Sequence, residues 1–267
     1  MQPVQAALSG HVGCVLCFGA SGAGKDFSLR CERPGQEGLL LRALALIFQG
    51  SASLVASTPR GSIRSVPEEP ATNASVSVSY LMITPDQRVH DLLGQRTIDG
   101  PWPAALERLE LLGHSAMLED ATWEQETSSN GVMRLMSKAQ YYTEELPREG
   151  CHSLITLRVN GGMLIFGGLA SIDALRGAPG TQMANEALAT SIEAAGKCLE
   201  ALSRSKKAVP PVHESTLTSI LAPALGGPGA SREGVTTLLL CVHPSKRKLA
   251  LTQQALAFGQ LSIAAVT

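Results

Sequence analysis

The sequence is short of charge and has no run that would anchor it in a membrane. Asp, Glu, Lys and Arg make up 17% of its 267 residues, and the net charge is −1. A chain without basic excess lacks the electrostatic footprint of a nucleic-acid binder, so no nucleic acid is expected as a partner. No apolar run reaches the length of a bilayer-spanning helix, and no membrane partner is expected. The first eight residues carry no basic segment ahead of an apolar one, which speaks against a secretory leader. Six cysteines in a chain this long make no disulfide framework, so a reducing cytoplasmic compartment is expected. Cys14 and Cys17 have C-x-x-C spacing, but in a strand their side chains point to opposite faces. No second pair completes a zinc site. Cys14, Cys17 and Cys241 read as small apolar core residues. There is no internal repeat and no heptad pattern.

What is present is a core. Hydrophobic residues reach 44%, and the length suits one α/β domain or two small ones. Val12 to Phe18 reads as a buried strand and Lys25 onward as a helix start. Gly38 to Gln49 is a helix, apolar nearly all round. Residues 50–74, rich in Ser, Pro, Gly and Ala, read as a flexible loop. Val76 to Ile83 is a strand, and Val89 to Leu93 starts a short helix. Pro103 to Leu112 and Val132 to Leu146 are helical. Cys151 to Val159 and Met163 to Phe166 form a strand pair around the turn signal Asn160-Gly-Gly162. Ala184 to Ser203 is a long Ala-rich helix, and Ser215 to Leu225 another, interrupted by Pro223. Thr236 to Val242 is a very apolar strand, and Leu249 to Gly259 a closing helix. Strands alternating with helices predict an α/β fold with its sheet covered on both sides.

One segment carries chemistry. Gly19-Ala20-Ser21-Gly22-Ala23-Gly24-Lys25 fits G-x-x-x-x-G-K between a strand and a helix. Such glycines let successive backbone N–H groups turn in around phosphate oxygens, and the lysine reaches the terminal phosphates. The following helix start adds partial positive charge. The next position should be Ser or Thr, whose hydroxyl ligates magnesium. Here it is Asp26, which can bind magnesium but adds negative charge beside a polyphosphate. A hydrolytic site also needs an apolar strand ending in an acidic residue. Met163 to Phe166 runs into Gly167-Gly168, Thr236 to Val242 into His243-Pro244, and Cys151 to Val159 into Asn160. Val76 to Ile83 reaches Asp86 only after Thr84-Pro85. No strand delivers that carboxylate.

In their order, these segments resemble the kinesin motor domain over nearly the whole chain. Gly38 to Phe48 is similar to that family's G-I-I-P-R-A-L-x-x-I-F helix. Val78 to Ile83, then Asp91-Leu-Leu93, resemble V-S-Y-L-E-I-Y-N-E…D-L-L. Cys151-His152 and the following strand resemble the end of S-S-R-S-H. Leu188 to Gly196 is similar to I-N-x-S-L-x-A-L-G, and Pro211 to Thr218 with Gly226-Gly227 to P-Y-R-D-S-K-L-T and L-G-G. The resemblance implies a P-loop NTPase fold with a kinesin-motor-like, mostly parallel central sheet and helices on both faces. It implies one such domain over residues 1–267, lacking the family's first strands.

The departures shape the functional expectation. Switch I, S-S-R-S-H, falls on Arg148 to His152 and loses its serines and arginine. Switch II, D-L-A-G-S-E, laid over Gly167 to Ile172, loses its aspartate, glycine and glutamate to Gly167, Ala170 and Ile172. No catalytic residue is assigned. Basic positions of the microtubule-binding segment become His213, Thr216 and Ser219. Lys206, Lys207 and His213 are the residues left to face a microtubule, with Arg204 nearby. Lys246-Arg247-Lys248 reads as a solvated turn. The resemblance thus implies a degenerate motor: ATP or ADP on Gly19–Asp26, magnesium only through Asp26, weak or absent ATPase, and weakened contact with microtubules or tubulin. As a binding or regulatory module it would also take a protein partner, in the cytoplasm on the cytoskeleton. An active ATP-driven motor and a P-loop NTPase or kinase outside this family are the alternatives.

Overall fold

A computed structural model describes residues 2–53, 74–99, 118, 120–147, 149–176, 182–204, 208–231 and 233–263. Its centre is strand β1 (Val12–Gly19), buried at every position. β1 runs parallel to two strands distant in sequence, β7 (Gly162–Gly168) and β8 (Val235–Cys241). The remaining strands are β2 (Val76–Ile83), β3 (Val89–Asp91), β4 (Arg96–Asp99), β5 (Glu124–Glu126) and β6 (His152–Val159). The eight-stranded sheet has the order β4-β3-β2-β6-β7-β1-β8, with β5 on β2.

Both faces are covered, as alternation along β1 requires. Val12, Cys14, Leu16 and Phe18 face one core, with residues from helices α5 (Gln182–Arg204), α6 (Thr216–Ile220) and α7 (Leu249–Ile263). Val15 and Cys17 face the other, with residues from α1 (Gln2–Leu8), α3 (Leu39–Ser53) and α4 (Ser129–Thr143). Cys14 and Cys17 thus lie in different cores. In α5 the core stripe is Leu188, Ile192, Ala195 and Leu199, spaced as a helix face demands. α4 starts where Ser128 Oγ accepts the Gly131 N–H at 3.1 Å, and it buries Val132, Met136 and Ala139 on one side. α1 lies so close to β1 that a methyl on Gly13 would overlap the Pro3 carbonyl.

The expected sheet with helices on both faces is present, but its pairing is mixed rather than mostly parallel. Among the described strands only β1 pairs in parallel, with β7 and β8; β2, β3, β4, β5 and β6 are joined by antiparallel ladders. The hairpin at Asn160-Gly161, where both φ are positive (50° and 77°), turns β6 back into β7. Val89 to Leu93 begins not as a helix but as β3, because Val89 to Asp91 pair with Leu81 to Ile83. Apolar β8 is half-buried, at the end of the sheet among the described strands. Helix α3 continues to Ser53 and takes the first residues of the expected 50–74 loop. Residues 54–73 and the helix expected at Pro103 to Leu112 lie outside the described residues. No described helix is long and apolar enough to cross a membrane.

Topology sets the site. β1 and β7 are parallel, so their carboxyl ends share one edge, and antiparallel β6 starts there, with Ser153 opposite Gly168. Crevices at the carboxyl ends of strands are where such sheets bind ligands.

Candidate functional site

A cleft of roughly 570 Å³ opens at that edge. One wall is the loop between β1 and helix α2 (Lys25–Arg30), which gives Ser21, Gly22, Gly24, Lys25, Asp26 and Phe27. The facing wall is built by Glu149, Gly150, Cys151 and Ser153 at the start of β6 and by Gly168 to Ser171, Asp173 and Ala174 after β7. Gly22 and Gly24 have φ of 73° and 94°, backbone that a side chain disfavours. The Ala23 N–H closes the turn on the Ala20 carbonyl at 3.2 Å.

Lys25 does not reach into open space. Its Nζ donates to the carbonyls of Gly19 and Ala20, both at 3.0 Å, and to Ser171 Oγ at 2.7 Å. Burial lowers its pKa, while Asp26 and Asp173 work against that shift. Asp26 is exposed and turned along its own helix, with Oδ1 2.9 Å from Arg30 Nη2. Among the described residues, no group of three or more His, Cys, Asp or Glu side chains is gathered for a metal ion.

The loop already holds an anion of its own chain. Asp173 stands on a 3₁₀ turn (Ile172–Arg176), and its Oδ1 accepts the Ser21 N–H at 2.8 Å. Its Oδ2 lies 3.1 Å from Lys248 Nζ, which also donates to the Ser21 carbonyl at 2.8 Å. Burial works to raise the Asp173 pKa, but the Ser21 N–H and Lys248 outweigh it and hold the carboxyl below its ordinary value. A loop that binds a carboxylate through a backbone N–H fits the anionic ligand its sequence implies.

His152 ties the facing wall together. Fully buried, its Nδ1 accepts the Ala170 N–H at 3.1 Å, so Nε2 carries the proton and donates to Ser191 Oγ at 2.8 Å. Ser191 Oγ in turn donates to the Leu188 carbonyl at 2.8 Å. Burial pushes the imidazole pKa down to about 3.

The structure therefore brings Ser21, Gly22, Gly24, Lys25 and Asp26 of the expected loop to one cleft and adds Glu149, Ser171 and Asp173, with Lys248 bonded to Ser21 and Asp173 beside it; sequence reasoning missed these four. Asp173 had a signal. Moved one residue along, onto Gly168 to Asp173, the motif D-L-A-G-S-E matches at Leu169 and Ala170 and sets Asp173 on its glutamate. Of the residues expected to face a microtubule, His213 is exposed on a 3₁₀ turn (Val212–Glu214) and does not line this cleft, while Lys206 and Lys207 lie outside the described residues. Thr216 and Ser219 are buried.

Comparison with known proteins places this architecture. The sequence pattern of the kinesin motor domain matches residues 1–145. The kinesin-like protein KIN-14C of Arabidopsis thaliana is 46% identical over 55 residues, which is 20% of this chain and 7% of that protein. KIN-14D of the same plant is 26% identical over 256 residues, covering 85% of this chain and 30% of the relative. The chain thus spans about a third or less of the length of the curated relatives it matches. Among solved structures, a mutant kinesin motor ATPase superposes with a TM-score of 0.69 at 18% identity, covering 98% of this chain and 75% of that one. The Drosophila kinesin NOD in complex with AMPPNP gives 0.65 at 21% identity, covering 98% and 78%. NOD has also been seen with manganese and ADP, and docked with bovine tubulin into a map of its microtubule complex. At these identities the structural likeness establishes the fold.

Proposed function

This chain belongs to the kinesin motor domain family, and we propose that it is a degenerate member, a microtubule-associated P-loop domain with residual nucleotide binding and weak or no ATPase activity. The observation that carries the proposal is the charge lining the cleft. Asp26, Glu149 and Asp173 line it, against Lys25 alone of the described basic side chains in its lining, with Lys248 held behind Asp173. A polyphosphate entering there meets three carboxylates, and Lys25 is already engaged by two carbonyls and Ser171. Each such contact must be exchanged for a phosphate contact, which costs affinity. The wall that in active relatives carries switch residues here offers Cys151, Ser153, Ala170 and Ser171. None of these organises a metal or an attacking water as a carboxylate would, and Asp173 on the same wall is engaged by the Ser21 N–H and Lys248.

Nucleotide would sit on the Ser21 to Lys25 backbone with Lys25 at its phosphates. Magnesium would arrive with the nucleotide, since the one carboxylate next to Lys25 in sequence is paired with Arg30. Residues 1–267 would act as one motor-like domain on the cytoskeleton. Contact with the acidic tubulin surface would be weakened, because buried Thr216 and Ser219 replace basic side chains and leave exposed His213 and the Lys206-Lys207 pair to make it. A protein partner fits a module that binds and does not step.

The test is ATP turnover with and without microtubules, beside titration of fluorescent ADP into wild type and Lys25→Ala. Weak binding that Lys25→Ala abolishes, with no microtubule-stimulated turnover, is expected. Stimulated turnover would overturn the degenerate-motor assignment. Binding indifferent to Lys25→Ala would remove the loop from the nucleotide site.

A further inference from the structure

The basic turn Lys246-Arg247-Lys248 does more than meet solvent. Its last residue reaches across to the phosphate loop, where Nζ lies 2.8 Å from the Ser21 carbonyl and 3.1 Å from Asp173 Oδ2. Asp173 completes the bridge through the Ser21 N–H. His243, at the other end of the same connection, lies against Gly22; its Nε2 would be 3.7 Å from a methyl placed there. The Ser245 N–H donates to His243 Nδ1, so Nε2 carries a proton towards the loop.

We propose that Lys248 is a second phosphate-binding cation of this loop, held in reserve by Asp173, whose carboxylate occupies the loop's anion position until nucleotide displaces it. The inference rests on nucleotide binding at Gly19–Asp26. Three features of the pair support it. Asp173 takes an N–H that a phosphate oxygen would otherwise use. Both side chains keep about one-quarter to one-third of their surface exposed (26% and 31%), so water can reach each charge when a binding event separates them. Lys248 is anchored by the Ser21 carbonyl, so it remains beside the loop when Asp173 departs. An anion that displaces Asp173 therefore inherits both the Ser21 N–H and the Lys248 charge.

The consequence is a self-occluded site whose apparent affinity is its intrinsic affinity scaled by the fraction of molecules with Asp173 withdrawn. If about one molecule in ten is open, removing the carboxylate tightens binding about tenfold. Asp173→Asn keeps the side-chain shape and removes the charge that holds Lys248. Lys248→Met keeps the aliphatic stem and removes the ammonium.

The experiment is a titration of wild type, Lys25→Ala, Asp173→Asn, Lys248→Met and the Asp173→Asn/Lys248→Met double variant with fluorescent ADP and with pyrophosphate. Circular dichroism melting checks that each is folded. Asp173→Asn is expected to bind both probes about tenfold more tightly than wild type, and adding Lys248→Met to it to lose most of that gain. The pyrophosphate arm assigns the gain to phosphate contacts and not to the base. Wild-type binding that Lys25→Ala abolishes, but that Asp173→Asn leaves unchanged or weakens, overturns this inference alone. So does a double variant that binds as tightly as Asp173→Asn. Absence of binding in every variant at millimolar probe overturns this inference and the proposed function together.

Discussion

Asp26 Oδ1 and Arg30 Nη2 lie 2.9 Å apart, one turn along α2. Arg30 Nη1 donates on to the Tyr80 hydroxyl at 2.6 Å, so the first turn after the phosphate loop is tied to the buried face of β2. The position that holds a magnesium-binding hydroxyl in the family's motif has become a strut between a helix and the sheet. Such a pair, three-quarters exposed on the Asp26 side, contributes little to stability by itself. Its effect is to aim the carboxylate away from Lys25.

Asp26→Ser should therefore restore a metal response. We expect ADP binding by the variant to tighten about tenfold when magnesium replaces EDTA, the order of one charge-assisted contact. Wild type should respond less. Equal magnesium responses in the two proteins would show that Asp26 already serves the metal.

His152 gives the fold a pH dependence of definite sign. Its ordinary pKa is 6.5, and burial in the fold takes it to about 3. Above pH 6.5 the imidazole is neutral in both folded and unfolded chains, and its contribution is flat. Between pH 6.5 and 3 the unfolded chain takes up a proton that the folded chain refuses. Stability from this group then falls by about 1.4 kcal/mol for each pH unit of acidification. Urea titrations from pH 7 down to pH 4 should show this loss, and His152→Gln should be shallower by about one proton. Superimposable slopes would mean that the histidine is protonated in the fold.

Gly13 is a packing requirement. A methyl there meets the Pro3 carbonyl backbone, which cannot rotate aside as a flexible side chain would. Gly13→Ala should cost about 1–3 kcal/mol in denaturant unfolding, in line with overpacked cores. An unchanged midpoint would mean that α1 is not seated on β1.

The parts legible in the sequence were those set by local pattern. Val76 to Ile83 alternates and is bounded by polar residues, and β2 has those ends. Asn160-Gly161 marks the hairpin because both residues tolerate positive φ. Val89 to Leu93 misled because its apolar residues suit either element; pairing with Leu81 to Ile83 decided for a strand. At the site, Gly19 to Lys25 was readable because phosphate loops are built from contiguous backbone. Asp173 was readable only in a register shifted by one residue, and Lys248 was not readable. A hydrolytic carboxylate is expected at a strand end, whereas Asp173 stands beyond β7 on a 3₁₀ turn. Lys248 comes to Ser21 only through the pairing of β8 with β1.

That pairing also orders events during synthesis. β1 precedes both of its neighbours, β7 and β8, in the chain, with Val12 beside Met163 and Gly13 beside Val235. Contacts this distant in sequence form slowly and late. Until β8 is available, β1 keeps an unpaired edge and an apolar row that invites aggregation. The nucleotide loop is thus translated before the strand that completes its surroundings, so a ligand that recognises it would report on chains whose sheet has closed.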